Sequence, residues 1–199
     1  MNIVKRFKNH YRKGFMPWVH KNPDFNLVKV VEEWPIKPCK TLEMGCGTGV
    51  DALWLASQNF DVTACDVSEI AIRMAENNQP EKLKSCHFHI LDCLTDVIPG
   101  SPFEFIFDRG YFHSYKTKKG RREVAEKIAD LLEPHGLWLS VSGSFDAPER
   151  DTGPPRLRAK DIVDAVEEHF RILSLKATHF GNEEEEPARA WVCLLRKRQ

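Results

Sequence analysis

Short apolar runs alternate along the chain with longer stretches in which apolar residues recur every three or four positions. The first pattern predicts buried strands, the second amphipathic helices. Strands are expected over residues 39–44, 60–65, 86–91, 103–107, 137–142, 171–180 and 190–196. Helices are expected over 24–33, 48–58, 68–77, 121–132 and 159–169. Asp24 and Ser68 stand where a side-chain oxygen caps a first turn, and Pro134-His135-Gly136 is a stop signal. Residues 1–21 read as irregular, with Gly14, Pro17 and Pro23 as breakers. Strands alternating with helices predict an α/β fold: a seven-stranded, mostly parallel sheet with helices on both faces. No helix separates the last two strands, so an antiparallel C-terminal hairpin is expected. The reading is of a single domain overall, with an N-terminal arm and helix over 1–35 and the main body over 36–199.

The first strand runs into Leu42-Glu43-Met44-Gly45-Cys46-Gly47-Thr48-Gly49, and the second ends at Asp66. A strand, a glycine turn, a helix and a strand ending in a carboxylate form the first half of a nucleotide-binding βαβ unit. Glycine lets the backbone turn sharply and lets a ligand approach it. The spacing is G-x-G-x-G, not the G-x-G-x-x-G that seats a pyrophosphate on a helix N-terminus. Glu43 stands two residues before the first glycine, where a carboxylate repels a pyrophosphate and suits an ammonium group. S-adenosylmethionine carries an amino group, a sulfonium and a ribose, and no phosphate. The segment resembles the first motif of class I S-adenosylmethionine-dependent methyltransferases, and the resemblance extends over residues 36–197. The competing reading is of three turn glycines in an ordinary α/β protein.

The resemblance implies a Rossmann-like methyltransferase fold with S-adenosylmethionine as cofactor and S-adenosylhomocysteine as product. Glu43, Gly45, Cys46, Gly47 and Gly49 would then lie under the cofactor, and Asp66 would bind both ribose hydroxyls, with Val67 beside it. The third strand delivers Asp92 and Cys93, where the family places an acid on the adenine amino group and a backbone amide on a ring nitrogen. Asp92 has a second reading, as the cap of the turn it starts. The fourth strand ends in Asp108-Arg109-Gly110-Tyr111-Phe112-His113. Amino methyltransferases of nucleic acids usually carry Asn/Asp-Pro-Pro-aromatic there, which this chain lacks. Asp-Arg-Gly resembles the thiopurine-type and tellurite-resistance-type methyltransferases, which act on small thiols, chalcogen compounds and related soft nucleophiles. A similar Asp-Lys-Gly turn occurs in some protein-lysine methyltransferases.

That branch often closes an N-terminal aromatic over the cofactor and carries a Gly-Pro-Pro element near the substrate. Trp18 and Gly153-Pro154-Pro155 match these. Trp18 alternatively staples the arm onto the core, and the prolines alternatively stiffen a loop. Asp108 would touch both cofactor and acceptor, and Arg109 and Pro154 would contact the acceptor. Amine and hydroxyl acceptors need a base, and His113 fits because a free imidazole titrates near neutrality. Tyr111, Tyr115 and Asp108 are alternatives.

Composition narrows the partners. Twenty-nine basic and 29 acidic residues cancel, so no global field draws the protein to nucleic acid or membrane. The basic run from Lys116 to Arg122 lacks interleaved aromatics, and no nucleic-acid partner is expected. No apolar run is long enough to span a bilayer, and the basic start lacks the apolar core of a secretory signal, so the cytoplasm is the default. Six scattered cysteines read as reduced core residues, and no metal site is expected. The expected protein is a monomeric or homodimeric S-adenosylmethionine-dependent methyltransferase of a small-molecule acceptor. Rivals are a protein-lysine methyltransferase, a non-catalytic cofactor-binding scaffold and a nicotinamide oxidoreductase.

Overall fold

Apolar strand residues and helix caps settle most element boundaries within a residue or two of the sequence pattern. The computed structural model describes residues 3–34, 36–146, 148, 153–181 and 187–199. The acidic stretch 182–186 before the last strand, and residues 147 and 149–152, lie outside them. Two compact units, residues 1–100 and 101–199, are described in turn.

The first unit contains α1 (Ile3–Arg12), α2 (Phe25–Glu33), β1 (Lys40–Met44), α3 (Val50–Ser57), β2 (Asp61–Asp66), α4 (Glu69–Asn78) and β3 (Cys86–Ile90). Its strands run parallel in the order β3-β2-β1. Leu42, Met44, Val62, Ala64 and Cys65 are fully buried, as parallel strands covered on both sides require. The Asp24 carboxylate accepts the Asn26 N–H at the start of α2, and Ser68 Oγ accepts the Ala71 N–H at the start of α4. These are the orphan donors of a first helical turn. Register places Met44 beside Cys65, so the glycine loop leaves β1 level with the end of β2.

The N-terminal segment corrects the sequence expectation: residues 3–12 form a helix where irregular chain was expected. Val4, Phe7 and Tyr11 recur at the helical period on one face, with exposed Lys5, Lys8 and Arg12 between them. The breakers Gly14 and Pro17 end this helix instead of preventing it.

The second unit contains β4 (Phe103–Arg109), a 3-10 turn at Phe112–Ser114, α5 (Lys118–Leu131), β5 (Leu132–Gly143), α6 (Ala159–Val166), β6 (Phe170–His179) and β7 (Arg189–Lys197). Its strand order is β4-β5-β7-β6, with β4 and β5 parallel and β7 antiparallel to both neighbours. The hairpin is present, and β7 also fills the place beside β5. Phe103, Phe105, Phe107, Trp138 and Phe170 are buried at its centre. Helix α5 starts three residues before the expected Arg121, because Thr117 accepts the Gly120 N–H and caps the turn there. Seven strands, mostly parallel, with flanking helices realise the predicted α/β class.

Candidate functional site

The first unit builds a tight cradle at the ends of β1 and β2. The Gly45 and Cys46 amides both donate to Cys65 O, at 2.8 and 3.0 Å, and fold the loop back across β2. The Gly47 N–H donates to Asp66 Oδ2 at 3.1 Å, and the Ser68 N–H donates to Asp66 Oδ1 at 2.8 Å. Asp66 therefore joins loop and strand while keeping acceptor capacity on each oxygen. It is 9 % exposed. Burial pushes its carboxyl up to about 6, against backbone amides of Ser68, Gly47 and Val67 that favour the charged form. Glu43 is buried in β1. Together with burial, Glu43 and Asp66 hold the Cys46 thiol well above its ordinary range.

Tyr11 of α1 reaches this cradle, which the sequence reading missed. A Cβ on Gly47 would come within 3.1 Å of the Tyr11 hydroxyl. The phenol is pushed up by burial and by the Asp66 charge. Trp18 Nε1–H donates to the Tyr11 hydroxyl at 3.1 Å, and the indole packs on Phe7 and His10. Trp18 is thus one of several rings that dock the N-terminal segment. The signal in the sequence was Tyr11 completing the apolar face of α1. Asp51, at the head of α3, ties the same segment down: Oδ1 accepts the Asp24 N–H at 2.7 Å, and Oδ2 lies 3.4 Å from His20 Nε2.

At the end of β3, Asp92 Oδ1 accepts the Leu94 N–H at 3.1 Å, while the Asp92 N–H donates to Asp96 Oδ2 at 2.9 Å. Its carboxylate caps its own turn. Cys93 is buried, and its thiol is pushed up by a hydrogen bond with Cys65 and by burial.

The second unit gathers its polar residues around the turn after β4. Asp108 is 0 % exposed. Its Oδ1 accepts the Phe112 N–H at 2.9 Å and its Oδ2 accepts Trp138 Nε1–H at 2.9 Å. These bonds fold the turn that carries Arg109, Tyr111 and His113. Arg109 lies 5.1 Å over the Phe180 ring, and the His113 imidazole meets the same ring edge-on at 6.0 Å. His113 Nδ1 accepts the Gly143 N–H at 2.8 Å. A Cβ on Gly143 would stand 3.1 Å from Pro154 Cβ and collide with the Pro155 carbonyl oxygen. So His113, Arg109, Phe180 and Pro154 form one cluster. Tyr111 pairs with Tyr115 through their hydroxyls at 2.9 Å.

Two predictions arise here. Gly143→Ala should cost about 1–3 kcal/mol by overpacking against the proline loop, measurable by thermal denaturation. Burial also pushes the Asp108 carboxyl up to about 6. An unfolded carboxyl titrates near 4, so the folded state holds the extra proton between about pH 4 and 6. Stability from this group is greatest below that window and is lost as pH rises through it. Relative to Asp108→Asn, wild type should lose up to about 3 kcal/mol from pH 4 to pH 7, as for roughly two pK units. Urea denaturation of both proteins across that range measures it.

The thiopurine S-methyltransferase family model matches residues 4–196. A probable thiol methyltransferase 2 of Arabidopsis thaliana is 28 % identical over 152 residues, covering 75 % of this chain and 65 % of that protein. The chain thus spans just under two thirds of that relative's length. A solved structure from echinomycin biosynthesis, concerned with converting a disulfide bond into a thioacetal group, superposes with a TM-score of 0.83 at 23 % identity. That match covers 98 % of this chain and 92 % of that one. TehB from Haemophilus influenzae superposes at 0.70 with 19 % identity, over 96 % of this chain and 67 % of its own. At these identities the superpositions establish the fold.

Proposed function

The chain belongs to the thiopurine S-methyltransferase family, and from that membership we propose that it methylates a small acceptor, a thiol or other soft nucleophile, using S-adenosylmethionine. The observation that carries the cofactor half is the pairing of two buried carboxylates, Glu43 and Asp66, with a glycine loop that Asp66 itself holds. Carboxylates suit an ammonium, a sulfonium and a ribose diol, and repel phosphate. Glu43 faces the cofactor amino group in this reading, Asp66 the ribose, and Asp92 the adenine amino group. The amides of Val67 and Cys93 and the bare backbone of Gly45, Cys46, Gly47 and Gly49 complete the cradle. Residues 1–35, with Trp18 and Tyr11, cover it. When bound, the cofactor supplies an electrophilic methyl group. The acceptor side falls to Asp108, Arg109, Tyr111, His113 and Pro154, with Asp108 fixing the turn that aims the others. Much of the acceleration then comes from alignment.

The relatives named for thiols and thiopurines support sulfur as the acceptor atom. No described helix is long and apolar enough to cross a membrane. We place the protein in the cytoplasm, as a monomer or homodimer. Titration calorimetry with S-adenosylhomocysteine, S-adenosylmethionine and NAD tests the cofactor half. Binding of the first two without NAD is expected; binding of NAD alone would return the oxidoreductase reading. Product analysis with thiols tests the acceptor half. Methyllysine formed in a cell extract, with no methylated thiol, would replace the small acceptor by a protein.

A further inference from the structure

We propose that Trp138 is a positioning residue: acting through the Asp108 carboxylate, it sets the shape of the turn after β4 that carries Arg109, Tyr111 and His113. The inference rests on the methyl-transfer reading above, in which that turn aims at the acceptor. Strand register brings the pair together. Parallel pairing of β4 with β5 sets Ile106 beside Trp138 and Asp108 beside Ser140. Side chains alternate along a strand, so these four share one face of the sheet. One carboxylate therefore receives two donors from β5. Trp138 Nε1–H donates to Asp108 Oδ2 at 2.9 Å, and the Ser140 hydroxyl adds a second bond.

The turn supplies two more. The Phe112 N–H donates to Asp108 Oδ1 at 2.9 Å, and the Tyr111 amide also donates. An indole N–H and a backbone N–H are donors only. Three of the four neighbours thus need a lone pair, and Ser140 alone can also accept. An ionised Asp108 serves all four. A protonated one weakens as an acceptor and leaves a buried donor poorly served. Trp138 itself is fixed: it is 0 % exposed, with Phe112 edge-on at 5.3 Å and Phe170 of β6 edge-on at 5.2 Å. Phe112 is accordingly held twice, by its N–H through Asp108 and by its ring against the same indole. A phenylalanine at 138 would keep an apolar ring there and lose the polar handle that reaches the carboxylate.

The charge on Asp108 carries the coupling. Burial pushes its carboxyl up to about 6, and the Trp138 N–H is among the donors that favour the charged form. Removing that donor raises the carboxyl further. Cys193 of β7 also faces Asp108 and stays a neutral thiol, pushed up to about 12 by burial and by the Asp108 charge. Arg109, Tyr111 and His113 follow on the same turn. Protonating Asp108 then has two effects of opposite sign. It adds stability, as for any group whose carboxyl is raised in the folded state. It also loosens the turn and lowers turnover. A side chain that served the fold alone would make activity follow stability.

Three variants separate these roles. Trp138→Phe keeps a ring and removes the N–H. Phe170→Leu disturbs the same ring packing and keeps the N–H. Asp108→Asn removes the titrating group. The rate is read as kcat at saturating S-adenosylmethionine and 4-nitrothiophenol, a thiol largely ionised above pH 5, with S-adenosylhomocysteine affinity measured alongside. Trp138→Phe should lose about 10- to 10²-fold in kcat, as for a displacement of up to about 1 Å. Its acid limb should move up by about one pH unit. Phe170→Leu should melt lower yet keep the wild-type limb, Asp108→Asn should lack the limb, and cofactor affinity should change little in all three. Equal losses in Trp138→Phe and Phe170→Leu, with the limb unmoved, would reduce Trp138 to packing and overturn the proposal. Wild-type kcat in Trp138→Phe, or a loss matched in cofactor affinity, would overturn it too.

A second readout needs no turnover and no folded Trp138 variant. In ¹⁵N-labelled wild type, the Trp138 indole N–H and the Phe112 amide should shift together as pH passes through about 6. Neither should titrate there in Asp108→Asn. An indole signal that stays constant, or one that titrates without Phe112, overturns the proposal. If both titrate together and no thiol is ever methylated, the methyl-transfer reading fails and the link from Trp138 through Asp108 to the turn stands.

Discussion

Gly49→Ala is expected to destabilise the protein by about 3–4 kcal/mol, whereas Gly14→Ala should cost only about 1 kcal/mol. Both glycines have positive φ, +79° and +67°. Both substitutions therefore force an L-residue into the left-handed region, at about 1–2 kcal/mol. They differ in surroundings. A Cβ on Gly14 meets nothing within 4 Å, whereas one on Gly49 would stand 2.8 Å from both Ala75 Cβ and Phe88 Cζ. Those atoms belong to α4 and β3, so relief requires moving a helix or a strand edge, and overpacking typically adds 1–3 kcal/mol. For a chain of 199 residues, each kcal/mol is about 2–4 °C in melting temperature. Gly49→Ala should thus melt roughly 10 °C below wild type. Equal melting temperatures for the two variants would refute the close packing of loop, helix and strand. Since Gly49 also heads α3, the cofactor affinity of the variant should fall with its stability.

Asp66→Ala should weaken S-adenosylhomocysteine binding by about 1.5–3 kcal/mol, as for hydrogen bonds to a charged group. The structure adds a second loss. The Gly47 and Ser68 amides would no longer have this carboxylate as acceptor, and the loop would lose its tie to β2. Melting should fall too, though the deficit is partly offset because an ionised carboxylate no longer has to be buried. The wild-type carboxyl titrates at about 6. Protonation removes the charge that the ribose hydroxyls would meet, so affinity should rise with pH through 6 and level off above it. Asp66→Ala should lack this rise. Calorimetry at pH 5 and pH 8 on both proteins measures affinity and slope together; unchanged affinity in a folded Asp66→Ala protein would refute the ribose assignment.

The N-terminal segment and the Asp108 turn show where sequence reasoning stops short. Breakers at Gly14 and Pro17 outweighed the Val4-Phe7-Tyr11 stripe in the reading of residues 1–21, although the stripe alone indicated α1. Asp108 was read as a group touching cofactor and acceptor. The structure adds that it is buried and accepts two N–H donors that fold its own turn. The Trp138 donor could not have been named from sequence, because it becomes a neighbour only through the pairing of β4 with β5.

By itself the sequence determined what neighbouring residues determine: the alternation of strand and helix, the caps at Asp24 and Ser68, the sharp turn at Gly45–Gly49 and the carboxylate ending β2. These rest on periodicity, side-chain reach and allowed backbone angles, all properties of a few consecutive residues. Only the tertiary structure decided which groups meet. Gly47 and Asp66 are 19 residues apart, and Gly143 and His113 are 30 apart. Strand register and helix packing bring such groups together, and burial then fixes their charge and their proton positions. The sharp glycine turn was therefore legible, whereas the hydrogen bond on His113 comes from a backbone amide that no local pattern places beside it.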